Sequence, residues 1–358
     1  MFLYVLRRIV LAIPVLLGIL FATFALARLI PGDPCHATLG EKATAQACDA
    51  FIIRYGLDRP IPTQFGIYIR DVSKGNLGDS LRFGQPVTKL IAQRLPVTIE
   101  LAFTALIFST IIGMILGMIS AYWRNSPIDV FTMIIANLGV SVPIFVLGLL
   151  LAYTFAVTLK GTPFALPPSG RLTAGISVPS LAEVWGLTSL SGTPRVILDF
   201  ISQLYLINGL LTLNWALVGD ALKHLILPTL ALGTIPLSII ARMTRSSLLE
   251  VLGLDYMRTA RAKGLNERLI IFRHALRNAM LPVVTVIGLS LGGLLSGAVL
   301  TETIFGFSGV GKTLFDAISS RDYTVVQAFT LVIAVVFVAI NLIVDISYAY
   351  LDPRIRYD

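Results

Sequence analysis

The chain has 358 residues, 56% of them hydrophobic and only 13% charged, with a formal charge of +8. Its mean hydropathy is +0.83. Soluble domains carry about 25% charged residues, so these figures exclude a disordered chain, a nucleic-acid-binding surface and an ordinary soluble enzyme.

Six uncharged runs reach the roughly 20 residues a helix needs to cross hydrocarbon. They cover residues 9–27, 101–123, 130–159, 225–241, 279–301 and 323–344. Lipid offers no partner to a free backbone group, and the runs are too long and uniform for barrel strands, so they must be helices. The expectation is an all-α polytopic membrane protein with six transmembrane helices and large periplasmic loops. Pro14, Pro143, Pro228 and Pro236 lie in or near the runs, where proline is tolerated and tends to kink a packed helix.

Residues 1–30 form the N-terminal span. Arg7, Arg8 and the Ala25-Leu26-Ala27 end resemble a cleavable signal peptide, but the apolar run exceeds the usual 7–15 residues. It is read as an uncleaved first helix. Residues 31–96 form a first exported loop, in which 62–73 can make a short amphipathic helix with Phe65, Ile69 and Val72 on one side. Cys35 and Cys48, the two cysteines of the chain, both fall in this loop. An oxidising compartment permits a disulfide; two free thiols are the alternative. A metal is a poor reading, since His36 adds only a third ligand.

A core at 97–358 follows, with spans at about 97–123, 130–159, 224–242, 279–301 and 323–350. A second exported insert covers 160–223. Its apolar stretch 196–218 is interrupted by Asp199, Gln203, Asn208 and Asn214, and is read as amphipathic elements on the outer face instead of a seventh span. Glu100, Asp345 and Arg28 sit near span ends as interfacial anchors. Asn137, Ser141 and Asn341 are polar within spans; they line a pathway or bond between helices.

The segment 242–280 carries eight basic and three acidic residues, a net +5. Excess Lys and Arg mark cytoplasmic loops. With six spans, the N- and C-termini then also lie inside. The first exported loop holds basic residues too, but long loops translocate largely regardless of charge. Within 242–280, Ser247 to Glu250 fits a capping box. Asp255 is placed to cap a basic helix over 256–263, which Gly264 ends as a left-handed C-cap. One reading is a loop that only fixes orientation. The other is a docking helix that offers Arg258, Arg261 and Lys263 to an acidic cleft, with Ala260 and Ala262 allowing close approach. Composition does not separate them.

Beyond the fifth run, Gly306-Phe-Ser-Gly-Val-Gly-Lys-Thr313 fits the phosphate-binding pattern G-x-x-x-x-G-K-[ST]. That pattern works when a strand delivers it and a helix follows. Here a membrane helix precedes it and the turn faces outward, so the match is read as coincidence. The same holds for a Walker-B-like run at 340–345 and a signature-like run at 289–293.

Motifs along nearly the whole chain are similar to permease subunits of bacterial ABC importers, in the dipeptide/oligopeptide and nickel family. They include Leu6-Arg-Arg-Ile9, Tyr55-Gly-Leu-Asp-Arg-Pro60, Arg242-Met-Thr-Arg-Ser-Ser247, Asp255-Tyr-Met-Arg-Thr-Ala-Arg-Ala-Lys-Gly264, His274-Ala-Leu-Arg-Asn-Ala-Met-Leu-Pro282 and Glu302-Thr-Ile-Phe305. The stretch 255–264 resembles the permease "EAA" motif, with Arg258-Thr259-Ala260 where Glu-Ala-Ala would stand. The resemblance implies a type I importer permease fold in a bacterial inner membrane, a second homologous permease completing a heterodimer, and one or two kinds of ABC ATPase subunit. It also implies a periplasmic or lipid-anchored substrate-binding protein and a peptide substrate. A nickel chelate, glutathione or haem are alternatives; a secondary transporter is less favoured, since no internal repeat or midplane carboxylate is seen. No catalysis and no cofactor are expected of this chain, with ATP and magnesium on the partners. Asp255, Tyr256, Arg258, Thr259, Ala260, Arg261, Lys263 and Gly264 become the expected ATPase-coupling residues. The resemblance also implies that the exported loops receive the binding protein, with Glu302 and Lys312 at that rim.

Overall fold

A computed structural model describes residues 2–29, 35, 43–54, 56 and 58–351. In chain order the helices are α1 (Phe2–Leu29), α2 (Ala45–Arg54), α3 (Ile61–Ser73), α4 (Val87–Tyr122), α5 (Pro127–Ser141) and α6 (Ile144–Tyr153). There follow α7 (Leu181–Val184), α8 (Thr193–Ser202), α9 (Tyr205–Leu211), α10 (Trp215–Leu252), α11 (Asp255–Ala262) and α12 (Glu267–Leu269). The last four are α13 (Leu276–Gly297), α14 (Val299–Ile304), α15 (Val310–Ser319) and α16 (Tyr323–Leu351). Among the described residues five helices are long and apolar enough to cross a bilayer, and the bent pair α5–α6 makes a sixth crossing if counted as one span.

The expected span 130–159 is not one helix. α5 and α6 meet at 100°. Val142 precedes a proline and is extended, with φ −103° and ψ 126°; Pro143 supplies no N–H and its ring crowds the α conformation of the residue before it. Elsewhere the helices outrun the hydropathy. α4 begins at Val87 inside the region read as loop, and α10 extends from Trp215 to Leu252. The capping box at 247–250 does not form, because Ser247 is buried in the interior of α10. A local pattern for a helix start loses to continued packing on both sides.

α4 and α10 form the central pair. A methyl on Gly117 would stand 2.5 Å from the Ala241 carbonyl oxygen, and one on Gly113 2.9 Å from that of Leu237. Four-residue spacing puts both glycines on one helix face, and small residues let membrane helices approach closely. Ser109 adds a hydrogen bond to the Gly233 carbonyl at 2.7 Å. α13 joins the pair through a core of Leu101, Ala105, Leu227, Ala231, Leu294 and Phe305. Gly288 and Gly292 of α13 face Val344 and Phe337 of α16. α1 lies outermost and packs on α16, with Arg8 paired to Asp345 at 3.0 Å.

Successive spans alternate in direction, so the bundle has a basic end, carrying α11, and a loop end. The described residues nearest both termini lie at the basic end. At the loop end, Phe24 of α1 packs on Phe65 and Tyr68 of α3, at 5.1 and 6.0 Å between ring centroids. Cys35 and Cys48 form a disulfide, buried beside Ala43 and Leu81. Buried Asp322 fastens the first loop to α16: it accepts the Ser80 hydroxyl at 2.6 Å and the Arg82 N–H at 3.0 Å. The stretch 196–218 folds as α8, α9 and the start of α10, and neither α8 nor α9 is long enough to span. Its polar interruptions have tasks. Asn208 is fully buried and donates to the Pro179 and Ser202 carbonyls, while Asn214 caps α10 at the Leu217 N–H. The side chain of Arg28, residues 30–34 and residues 352–358 lie outside the described residues.

Candidate functional site

At the basic end α11 stands off the bundle on one apolar anchor. Met257 is fully buried among Ala121 of α4, Leu248 and Val251 of α10, and Ile270, Ala275 and Ala279 leading into and within α13. The Tyr256 hydroxyl accepts the Asn278 amide at 2.7 Å. Gly264 ends the unit with φ +78°, a left-handed conformation that glycine adopts without the Cβ clash of other residues. Asp255, Arg258, Thr259, Arg261, Ala262 and Lys263 are exposed.

Three details depart from the expected coupling residues. Asp255 does not cap α11; Leu254 stands at that position. Asp255 is instead in the first turn, where its charge complements the helix dipole, and pairs with Arg258 at 3.3 Å. Ala260 faces inward, packed against the Met257 cluster, so of the two small residues only Ala262 is on the open face. Arg261 is already paired, to Glu267 at 2.6 Å. Met257 went unnoticed in the sequence, though a lone large apolar residue in a basic helix was the available signal.

Behind α11, Arg245 of α10 grips Asp129 of α5 with two bonds, at 2.9 and 2.8 Å. Ser120 and the Asn125 N–H complete the carboxylate's shell. This ties the short turn between α4 and α5 to α10. Of the polar pathway candidates, Asn137 and Ser141 lie together, with the Ser141 hydroxyl on the Asn137 carbonyl. The Asn137 side chain accepts from Ser238 at 2.9 Å and from Arg242 at 3.2 Å. Asn341 is not brought to them; it bonds the Phe337 carbonyl of its own helix, α16.

The loop end is knitted by acids, of which Glu100 is buried and Asp220 half-buried. Glu100, far from being a simple interfacial anchor, accepts Arg171 and the Leu206 N–H, both at 2.7 Å. The Arg171 guanidinium also lies 3.6 Å over the Tyr205 ring. Asp220 accepts the Thr173 N–H and hydroxyl, each at 2.7 Å. A cleft of about 610 Å³ opens beside this region, lined in part by Lys89, Gln93, Pro179, Phe200 and Tyr205.

The phosphate-loop look-alike holds a carboxylate of its own chain. Glu302 is fully buried and accepts the Lys312 N–H at 2.9 Å and the Thr98 hydroxyl at 2.5 Å. Gly309 leaves the space, since a methyl there would stand 2.3 Å from the Glu302 oxygen. The start of α15 thus meets its anion internally. Burial pushes the Glu302 carboxyl up to about 7, against the pull of Thr98, the Lys312 and Gly311 N–H groups and the Lys312 charge. Between about 4.5 and 7 the folded state then binds the extra proton, so stability falls as pH rises through that window. The penalty is absent below it and complete above it, at about 3 kcal/mol. Thermal unfolding of the solubilised protein is expected to move to lower temperature from pH 5 to pH 8. Glu302→Gln, which mimics the protonated acid, is expected to flatten that dependence. An unchanged slope in the variant would refute it.

Residues 113–357 match the family model described as binding-protein-dependent transport system inner membrane component, and residues 1–102 match its N-terminal companion. The chain belongs to this family. It is a permease subunit of a binding-protein-dependent transport system, a multi-pass inner-membrane protein. It is 45% identical to the dipeptide transport system permease protein DppB of Alkalihalophilus pseudofirmus, over 99% of each chain. Identity is 44% to the di/tripeptide transport system permease protein DppB of Pseudomonas aeruginosa, over 99% of this chain and 98% of that one. The glutathione transport system permease protein GsiC of Salmonella paratyphi A is 37% identical, over 99% of each.

Proposed function

We propose that this permease conducts dipeptides inward, paired with a second homologous permease, and that α11 is the surface on which a cytoplasmic ABC ATPase acts. The observation that carries the coupling assignment is the anchoring of α11. Its exposed face is polar and basic, while Met257 sits in a buried cluster to which three spans contribute. A loop that only oriented the helices would need charge but no such anchor. The net +5 of the segment supports a cytoplasmic basic end, with the N- and C-termini on the same side. The loop end then faces the exported binding protein, and the cleft beside α8 suits a protruding element of that partner. ATP and magnesium bind the partner subunits, and this chain contributes no bond-making step. ATP-driven closure of the ATPase pair moves α11, and the bundle shifts between inward-open and outward-open states. Dipeptide stands ahead of glutathione as the cargo because full-length identity is higher to the dipeptide permeases.

The test is uptake by proteoliposomes holding the two permeases, the ATPases and the binding protein. Labelled dipeptide is expected to accumulate only with ATP and binding protein present, and glutathione at least tenfold more slowly. Equal uptake without ATP would sink the reading.

A further inference from the structure

Arg8, Arg171 and Arg245 each meet a carboxylate, whereas no carboxylate pairs with Arg242 among the described residues. A basic side chain near a helix end ordinarily snorkels outward to the membrane surface. Arg242 does the reverse. Its Nη2 donates to the Ser238 hydroxyl at 3.3 Å, one turn back toward the loop end, and to Asn137 at 3.2 Å. Asn137 lies two turns along α5 from Asp129, which marks the basic end, so it is about 12 Å deeper. Arg242, Asn137 and Ser141 are all exposed on this face. Ser141 is the last residue of α5, at the break where Val142 and Pro143 leave the helix. Unpaired helix ends at membrane depth are tolerated where they line water or lie in protein. An exposed guanidinium without a carboxylate, two polar side chains and broken backbone together mark a wet face, not a lipid-facing one.

We propose that Arg242, held by Asn137 and Ser238, is a way-station for a carboxylate: the C-terminal carboxylate of the peptide in transit. This rests on the dipeptide reading above. Nη2 donates to the two oxygens, while Nε and Nη1 have no partner among the described residues, so charged N–H groups remain to meet a carboxylate oxygen. Every free peptide carries that group whatever its side chains, so a station for it gives no side-chain selectivity and lowers the barrier to bringing a charge through the membrane.

Two measurements on the full transporter test this. Arg242→Gln is expected to lower dipeptide uptake at least tenfold while the variant still co-purifies with its partner subunits; Arg242→Lys is expected to retain at least a third. Ser141→Cys, which leaves Arg242 in place and is exposed beside Asn137, is expected to react with a membrane-impermeant thiol reagent added from the cytoplasmic side. Excess dialanine should slow that labelling at least threefold, and dialanine amide should not. The native cysteines are held in the disulfide at the other end. Uptake by Arg242→Gln within twofold of wild type overturns the proposal. So does loss of co-purification, which would make Arg242 a contact with the second permease, and so does labelling that is absent or indifferent to dialanine. Failure of the wild-type transporter to take up any dipeptide would instead overturn the cargo reading.

Discussion

Gly117→Val is expected to remove most of the folded protein from the membrane. Even a single methyl at this position meets the Ala241 carbonyl oxygen at 2.5 Å and the Thr244 Cβ at 2.7 Å. Neither is the tip of a flexible side chain, so α4 and α10 must separate. Overpacking a tight interface costs about 1–3 kcal/mol, occasionally more. Separation also loosens neighbouring contacts, including the Ser109 bond to Gly233. Gly18→Ala is the control, because nothing lies within 4 Å of its added methyl. The yield of monodisperse detergent-solubilised protein reads the outcome. Yields for Gly117→Val and Gly18→Ala within twofold of each other would show that the close approach does not matter.

Gly264→Val is expected to behave differently: normal membrane levels, but uptake reduced at least tenfold. The added Cβ meets no atom within 4 Å. The cost is the left-handed backbone alone, at φ +78°, roughly 1–2 kcal/mol and worst for a β-branched residue. The local remedy is to unwind the end of α11, which moves Arg261 and Lys263 on the exposed face. Gly264→Asn is expected to keep most uptake, because asparagine tolerates this conformation. If valine and asparagine variants transport equally well, the geometry of α11's end is not what the ATPase uses.

The spans were legible because hydrocarbon demands a long uncharged run and the chain supplies it with few interruptions. Their ends were not. Lys89 and Arg94 look like loop residues, yet they ride on the first turns of α4, since a helix already packed on neighbours extends past the hydrocarbon at little cost. The break at Val142–Pro143 was equally hard to foresee. Pro14, Pro96, Pro228, Pro236 and Pro282 all lie inside continuous helices, so proline alone does not tell a kink from a break. The short basic helix and its terminal glycine were readable in the sequence, but the inward turn of Ala260 depends on where Met257 finds its pocket. Glu100 with Arg171, and Asp129 with Arg245, join residues too far apart in sequence for any local pattern to connect. The apparent nucleotide loop shows the opposite hazard. Its glycines do make an anion seat, and only the fold reveals that Glu302 already sits in it.

The Met257 anchor has a mechanical consequence. Its pocket is shared by α4, α10 and the start of α13, so a load applied to α11 cannot be spent on bending one span. It is divided among three at a common joint, and the glycine-faced seam between α4 and α10 is too tight to shear. If an ATPase acts on α11 as proposed, its stroke turns these spans as a single block. The relative movement must appear at the block's borders, and the angled joint between α5 and α6 is the part of the border already shaped like an elbow.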